Sequence, residues 1–218
     1  MTNLLEPILN IFAGKTENKV VGIDIGSSSI KVVELKKKRG RAVLQTYGEI
    51  YLGPYADVEI GSSTKLTAAK TAEALTDVLR EANTSTPNSA VSIPMRSSMV
   101  SIFKMPGMKD KQLAQMVPIE SRKYIPVPIS EVTLDWFKIP SDPTSMDTTK
   151  PDAKAPVQIM VIAIHNDVLS DYSSIVSQSK LKTSFFEIEM FSTIRSVVDP
   201  TDTTPVLIAD IGASSTKI

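Results

Sequence analysis

An α/β protein carrying one inserted α+β block is the fold class this sequence predicts, and three observations predict it. Runs of β-branched and aliphatic residues alternate with stretches of helical periodicity along most of the 218 residues. The phrase "IDIGSSSIK" (Ile23 to Lys31) returns almost unchanged as "ADIGASSTK" (Ala209 to Lys217). Between the two copies, from about Arg96, the alternation changes character, and a polar stretch from Pro140 to Pro156 reads as a surface loop.

Each element has its own warrant. In "MTNLLEPILNIFAG", Leu4, Leu5, Ile8, Leu9 and Phe12 fall on one helical face, which predicts an amphipathic helix able to dock on the body, a partner or a membrane surface. "VVGIDIG" and "IKVVELK" read as a hairpin, "RAVLQTYGEIYLG" as a third strand, and "KKKRGR" as the solvated turn between the last two. In "KLTAAKTAEALTDVLREAN" the apolar stripe Leu66, Ala69, Ala72, Leu75, Val78 and Leu79 predicts a helix, and the strand "AVSIP" follows. The inserted block, 96–181, then offers "SMVSIFKMP" as a strand, "DKQLAQMVPIESRKYIP" as a helix kinked or broken at Pro118, and "EVTLDWFKI" and "VQIMVIAI" as strands. "NDVLSDYSSIVSQSKL" is a helix opening on Asn166 as N-cap. "TSFFEIE" and "MFSTIRSVVD" add a strand and a helix, and Pro205 opens a last strand, "VLIADIG".

Composition narrows the function classes. With 24 basic and 24 acidic residues no overall field recruits nucleic acid. Cysteine is absent, so disulfide and thiolate chemistry are excluded, and the single histidine, His165, offers no histidine cluster for a metal. No basic n-region with a small-residue cleavage site opens the chain, and no apolar run approaches the ~20 residues of a membrane-spanning helix.

The repeated phrase carries the chemistry. Asp24, Gly26, Ser28, Ser29 and Lys31 align with Asp210, Gly212, Ser214, Ser215 and Lys217. Their separation far exceeds the ~20–50 residues of a solenoid repeat and marks two related units, each opening on the same hairpin. A glycine lets the backbone turn tightly and approach an anion, the N–H groups and hydroxyls that follow can donate to phosphate oxygens, and lysine adds a point charge. The aspartate repels phosphate and is suited to magnesium, through water. A polar hairpin turn without a ligand is the alternative for either copy alone; the recurrence of the whole pattern argues for a polyphosphate clamp.

Two Asp-x-Gly-x-x-Ser-x-Lys hairpins resemble the phosphate motifs of the superfold shared by actin, heat-shock chaperones and sugar kinases. Within it, "VVGIDIGSSSIKVVELKK", "KMPGMKDKQLAQMVPIESRKYIPVPISEVTLDWFKI" and "FFEIEMF" are similar to the PilM family of type IV pilus assembly, related to the division protein FtsA. The resemblance implies an actin-like, ribonuclease H-like first lobe made of 1–95 and 182–204, an inserted subdomain over 96–181, and in 205–218 the first strand and hairpin of a second lobe otherwise absent from this sequence. It implies ATP and magnesium as cofactors, with Asp24, Gly26, Ser27, Ser28, Ser29 and Lys31 as one phosphate loop. Asp210, Gly212, Ala213, Ser214, Ser215 and Lys217 would be the other, and Asp24 and Asp210 the metal contacts. It further implies a cytoplasmic adaptor at the inner face of the membrane, a nucleotide-binding scaffold or weak ATPase that binds the N-terminal segment of a PilN-like inner-membrane protein. A small-molecule kinase or an FtsA-like filament protein is the alternative on the same superfold.

Other residues weigh less. His165 ends a strand beside Asn166, a place for a turn-satisfying side chain. Glu187 and Glu189 lie roughly where actin-like ATPases position water, with structural roles as the alternative. Trp136 and Phe137 point to opposite faces of a strand. "YIPVPISE" is a rigid apolar connection, either a spacer or a wall of the family's peptide groove.

Overall fold

The computed structural model describes residues 19–139, 156–199, 201–202 and 204–218. The amphipathic helix expected at the N-terminus and the loop expected from Pro140, all but its final Pro156, lie outside them. Two compact units form: residues up to Met95 together with Ser170–Ile218, and Arg96–Leu169.

The first unit is built on five strands in the order β3-β2-β1-β4-β8. β1 (Lys19–Ile25), β2 (Ser29–Lys38) and β3 (Arg41–Tyr51) form an antiparallel meander, whereas β4 (Asn88–Ile93) and β8 (Lys182–Ile188) run parallel to β1. The mixed sheet, an antiparallel meander continued by parallel strands, is the α/β architecture that the sequence predicts. The β2–β3 connection is two residues long, and Arg39 (φ 51°) and Gly40 (φ 78°) both take positive φ, the signature of a type I′ turn whose twist matches the strands it joins. Between Glu34 and Leu35 the pairing with β3 shifts by one residue, so that Gln45 has no partner on β2.

Helix α1 (Ala68–Glu81) starts where the Thr67 hydroxyl accepts the N–H of Lys70. Its buried side is Thr71, Ala72, Ala74, Leu75, Val78 and Leu79. The stripe is rotated from the one expected, since Ala69 is exposed and Ala74 is fully buried. Against Ile23, Ile30 and Val32 of the sheet, Ala72, Ala74, Leu75, Val78 and Leu79 make one core, joined by Ile175 and Val176. Each fully buried Ile or Leu contributes about 1.5–3 kcal/mol of transfer free energy.

In the second unit β5 (Ser98–Met105), β7 (Val157–His165) and β6 (Val132–Ile139) form an antiparallel sheet in the order β5-β7-β6. Helix α2 (Asp110–Ser121) packs Leu113 and Val117 against Phe103, Ile159 and Val161. Of the kink or break expected at Pro118, the break does not occur: the helix continues through it to Ser121. Proline removes one N–H from the helix, yet Leu113, Val117 and Ser121 are all within 1% of full burial and hold the face down, and the Ser121 hydroxyl donates to the Val117 carbonyl at 2.6 Å. In the apolar connection that follows, Ile125 is buried and Tyr124 stacks on Phe103 with ring centroids 4.6 Å apart. Trp136 packs on the same core.

Two boundaries differ from the sequence reading. The second unit ends at Leu169 rather than Leu181, inside helix α3 (Asn166–Gln178), because Ile175 and Val176 on its C-terminal half belong to the core of the first unit. The helix begins at Asn166, but the residue is not the N-cap expected: it is the first helical residue, and its amide accepts from the Thr133 hydroxyl and donates to the Ser130 carbonyl instead of closing the first turn. The strand expected from Pro205 is reduced to β9 (Asp210–Ile211), which pairs with β10 (Thr216–Lys217). No described strand lies beside the preceding residues to complete a ladder, and Val206 and Leu207 stand exposed.

Candidate phosphate-binding site

The two sequence hairpins fold to the same local geometry. In the first, Asp24 is the cross-strand partner of Lys31, and Gly26 N–H donates to the Ser29 carbonyl at 3.0 Å. In the second, Asp210 is the partner of Lys217, and Gly212 N–H donates to the Ser215 carbonyl at 3.0 Å. Both turns are tight at the glycine: a Cβ on Gly26 would stand 3.0 Å from the Ser29 oxygen and one on Gly212 3.2 Å from the Ser215 oxygen, so a side chain there would push that carbonyl back by a few tenths of an ångström.

The first loop is anchored by its carbonyls. Ser27 O accepts both the N–H (2.8 Å) and the hydroxyl (3.1 Å) of Thr64, and Ser28 O accepts Leu52 N–H at 2.8 Å. The N–H groups of Ser27 and Ser28 find no acceptor among the described residues. Carbonyls tied inward and amides left to donate is the polarity an anion requires. Ser29, 3% exposed, is turned into the protein, so its hydroxyl faces Lys31 Nζ (3.3 Å) rather than the loop surface. The second loop, Ile211 to Thr216, is exposed throughout, Ala213, Ser214 and Ser215 included.

Register places the first hairpin in a larger arrangement that the sequence reading missed. Cross-strand partners run Glu49–Lys31–Asp24–Ser92–Glu187 across all five strands, one polar rung on the face of the sheet opposite the Ile23, Ile30 and Val32 core. Lys31 Nζ lies 3.5 Å from Glu49, the Ser92 hydroxyl donates to Asp24 Oδ1 at 2.6 Å, and Glu187 forms an ion pair with Arg195 of helix α4 (Glu189–Val197). Asp24, Ser92 and Glu187 sit at the carboxyl ends of three neighbouring parallel strands, where α/β sheets place ligands. The available signal was a lone serine in the apolar strand "AVSIP".

The second hairpin joins the same end of the sheet through Glu189. Lys217 Nζ lies 2.9 Å from Glu189 Oε1 and 3.1 Å from Asp210 Oδ2, and the same Glu189 oxygen accepts Met95 N–H at 2.7 Å. Partial burial pulls the Lys217 ammonium toward its neutral form, but the bonds to Glu189 and Asp210 outweigh it and hold the pKa above the ordinary lysine value.

The donor set fits a magnesium polyphosphate. Asp24 commits one oxygen to Ser92 and Asp210 one to Lys217, so each keeps an oxygen for a metal or its water. Among the described residues no three carboxylates or histidines gather into a closed metal site. Magnesium on a nucleotide needs none, because it takes one or two carboxylates and fills its shell with water and phosphate.

A protein-family model for the type IV pilus assembly protein PilM matches residues 22–218. Among solved structures, the PilM–PilN type IV pilus biogenesis complex is similar at a TM-score of 0.65 and 22% identity, over 81% of this chain and 49% of that one. The chain therefore spans about half the length of that relative. The cytoplasmic domain of EpsL, an inner membrane component of the type II secretion system of Vibrio cholerae, matches at a TM-score of 0.48 and 9% identity, covering 78% of this chain and 57% of that one. Among the described residues no helix is long and apolar enough to cross a membrane.

Proposed function

Because the chain belongs to the type IV pilus assembly protein PilM family, we propose that it forms part of a nucleotide-binding adaptor of pilus assembly. The adaptor works at the cytoplasmic face of the inner membrane, where it binds the N-terminal segment of a PilN-like protein. The first unit acts as the actin-like lobe and the second as the inserted subdomain. The observation that carries the nucleotide reading is the repetition, in identical register, of Asp opposite Lys around a glycine turn.

In this reading ATP with magnesium is the ligand. Magnesium, when bound, offsets phosphate charge. The chain's own residues do the rest: the Ser27 and Ser28 amides donate to phosphate oxygens, Lys31 and Lys217 supply cations, and Asp24 and Asp210 hold metal-bound water. Gly26 and Gly212 keep the turns tight, Ala213 leaves room beside its loop, and Ser214 and Ser215 contribute hydroxyls from the exposed second loop. The small-molecule kinase alternative requires an uncommitted carboxylate base. At the end of β8, Glu187 is bound to Arg195 and Glu189 to Met95 N–H and Lys217, which favours the adaptor.

Titrating the full-length protein with magnesium ATP and with a peptide from the N-terminus of its PilN-like partner tests this. Both ligands should bind. Lys31→Ala and Lys217→Ala should each weaken ATP by about 1.5–3 kcal/mol, the value of a charge-assisted bond, and leave the peptide untouched. Phosphoryl transfer to a small molecule without peptide binding would overturn the adaptor reading. Unchanged ATP affinity in both variants would overturn the site.

A further inference from the structure

Glu189 has a role that phosphate binding alone leaves unused. One of its oxygens, Oε1, accepts two donors from distant parts of the chain: Met95 N–H at 2.7 Å and Lys217 Nζ at 2.9 Å. Met95 is the last residue of the first unit before the chain crosses into the second at Arg96. Lys217 is the cation of the second hairpin, and its other carboxylate partner, Asp210, stands opposite it on that hairpin. A single carboxylate oxygen thus ties the phosphate hairpin to the crossover peptide.

The environment makes that tie consequential. The Glu189 side chain is 16% exposed and that of Lys217 28%, so water screens their attraction only in part. A polyphosphate at the second loop would bring several negative charges to Lys217, and an ammonium that turns toward them leaves the acceptors it held. Glu189, largely buried, would then lose its counter-ion, and an uncompensated carboxylate in such a place turns toward water. Turning carries Oε1 away from Met95.

We propose that Glu189 is the positioning residue through which polyphosphate at the Gly212–Lys217 hairpin is signalled to the Met95 crossover, by exchange of Lys217 from carboxylate to phosphate. The inference rests on the nucleotide reading of the same hairpin. It makes the lysine a switch contact as well as a ligand.

Amide hydrogen exchange at Met95 in the full-length protein, with and without saturating magnesium ATP, tests the inference, with ATP affinity measured separately by calorimetry. In the wild type ATP should speed exchange at this amide by ~5-fold or more, a local opening of the crossover. Lys217→Ala should show the fast rate without nucleotide. Glu189→Gln keeps an acceptor for Met95 N–H but no charge for Lys217 to release, so it should bind ATP with exchange that no longer responds. ATP binding in Glu189→Gln accompanied by the wild-type exchange response would overturn the coupling and leave the nucleotide site standing. Failure of the wild type to bind ATP would overturn both. Should Glu189→Gln fold poorly, the Lys217→Ala rate decides: slow exchange there without nucleotide refutes the tie.

Discussion

The Ser92 hydroxyl donates to Asp24 Oδ1 across 2.6 Å, between residues that are direct cross-strand partners on β4 and β1. The bond fixes the carboxylate's orientation and leaves its second oxygen available, which is the arrangement a water-bridged metal needs. Asp24→Ala should weaken the magnesium dependence of nucleotide binding, leaving Asp210 as the remaining carboxylate for metal-bound water. Ser92→Ala, which removes orientation and not charge, should cost about 1 kcal/mol, the net value of one hydrogen bond. Calorimetry with and without magnesium separates the two, and wild-type affinity in Ser92→Ala would remove the positioning role.

A second carboxylate predicts acid sensitivity. Glu34, 1% exposed, occupies a core-facing position of β2 and accepts the N–H (2.5 Å) and hydroxyl (2.7 Å) of Ser85, with Lys19 Nζ at 3.3 Å. Burial raises its pKa, but the Ser85 and Lys19 bonds more than offset this and hold it below the ordinary glutamate value. A depressed folded-state pKa contributes stability that is complete above the unfolded value, about 4.3, and is lost as pH falls through the folded one. Glu34→Gln should therefore destabilise the protein at pH 7, by about 1.5–3 kcal/mol. Urea midpoints should show the gap between variant and wild type closing below about pH 4; a gap independent of pH would contradict the assignment.

Trp136, the only tryptophan of the chain, packs on the core of the second unit and reports on it. Leu113 is fully buried there. Leu113→Ala should lower the stability read from tryptophan fluorescence by about 2–5 kcal/mol, transfer and cavity terms together. An unmoved fluorescence midpoint would mean that Leu113 does not support that core.

Glycines offer an internal contrast. A Cβ at Gly53 would fall 2.5 Å from the Glu59 oxygen and 2.8 Å from that of Val58, both backbone atoms, whereas one at Gly22 meets nothing nearer than 3.8 Å. Gly53→Ala should cost about 1–3 kcal/mol through forced backbone movement. Gly22→Ala, on a strand, should be neutral or gain up to about 0.5–1 kcal/mol by restricting the unfolded chain. Thermal melts that ranked the pair in the opposite order would refute the packing around Gly53.

What could be read in the sequence was what local chemistry determines. The hairpin phrase declared both its turn and its repetition, because Asp, Gly and Lys at fixed spacing act within a few residues of one another. Leu75 and Leu79 declared a helix for the same reason. The rest depends on partners far apart in the chain. Nothing near Asp24 announces Ser92, nothing near Lys217 announces Glu189, and the cross-strand rung exists only once five strands are in register. Ile175 and Val176 look equally apolar whichever core they join, so the end of the inserted unit could not be located from them. Pro118 was read from its missing N–H alone, while the burial of Val117 before it and Ser121 after it decided the outcome.

The unpaired Gln45 acts on the β2–β3 hairpin as a phase shift. Side chains alternate along a strand, so one surplus residue inverts the parity of everything on its far side. Thr46, Gly48 and Ile50 keep the inward phase, while Leu44, on the other side of the surplus residue, pairs with Leu35 and is 54% exposed, on the same outer face as Val33 and Tyr47. Without the surplus residue two positions two apart would share a face; with it, Leu44 and Thr46 point to opposite faces, and deleting Gln45 would straighten the ladder while leaving Leu44 opposite Leu35 on the outer face. The two faces of β3 are thus encoded by a count of residues as much as by their identity.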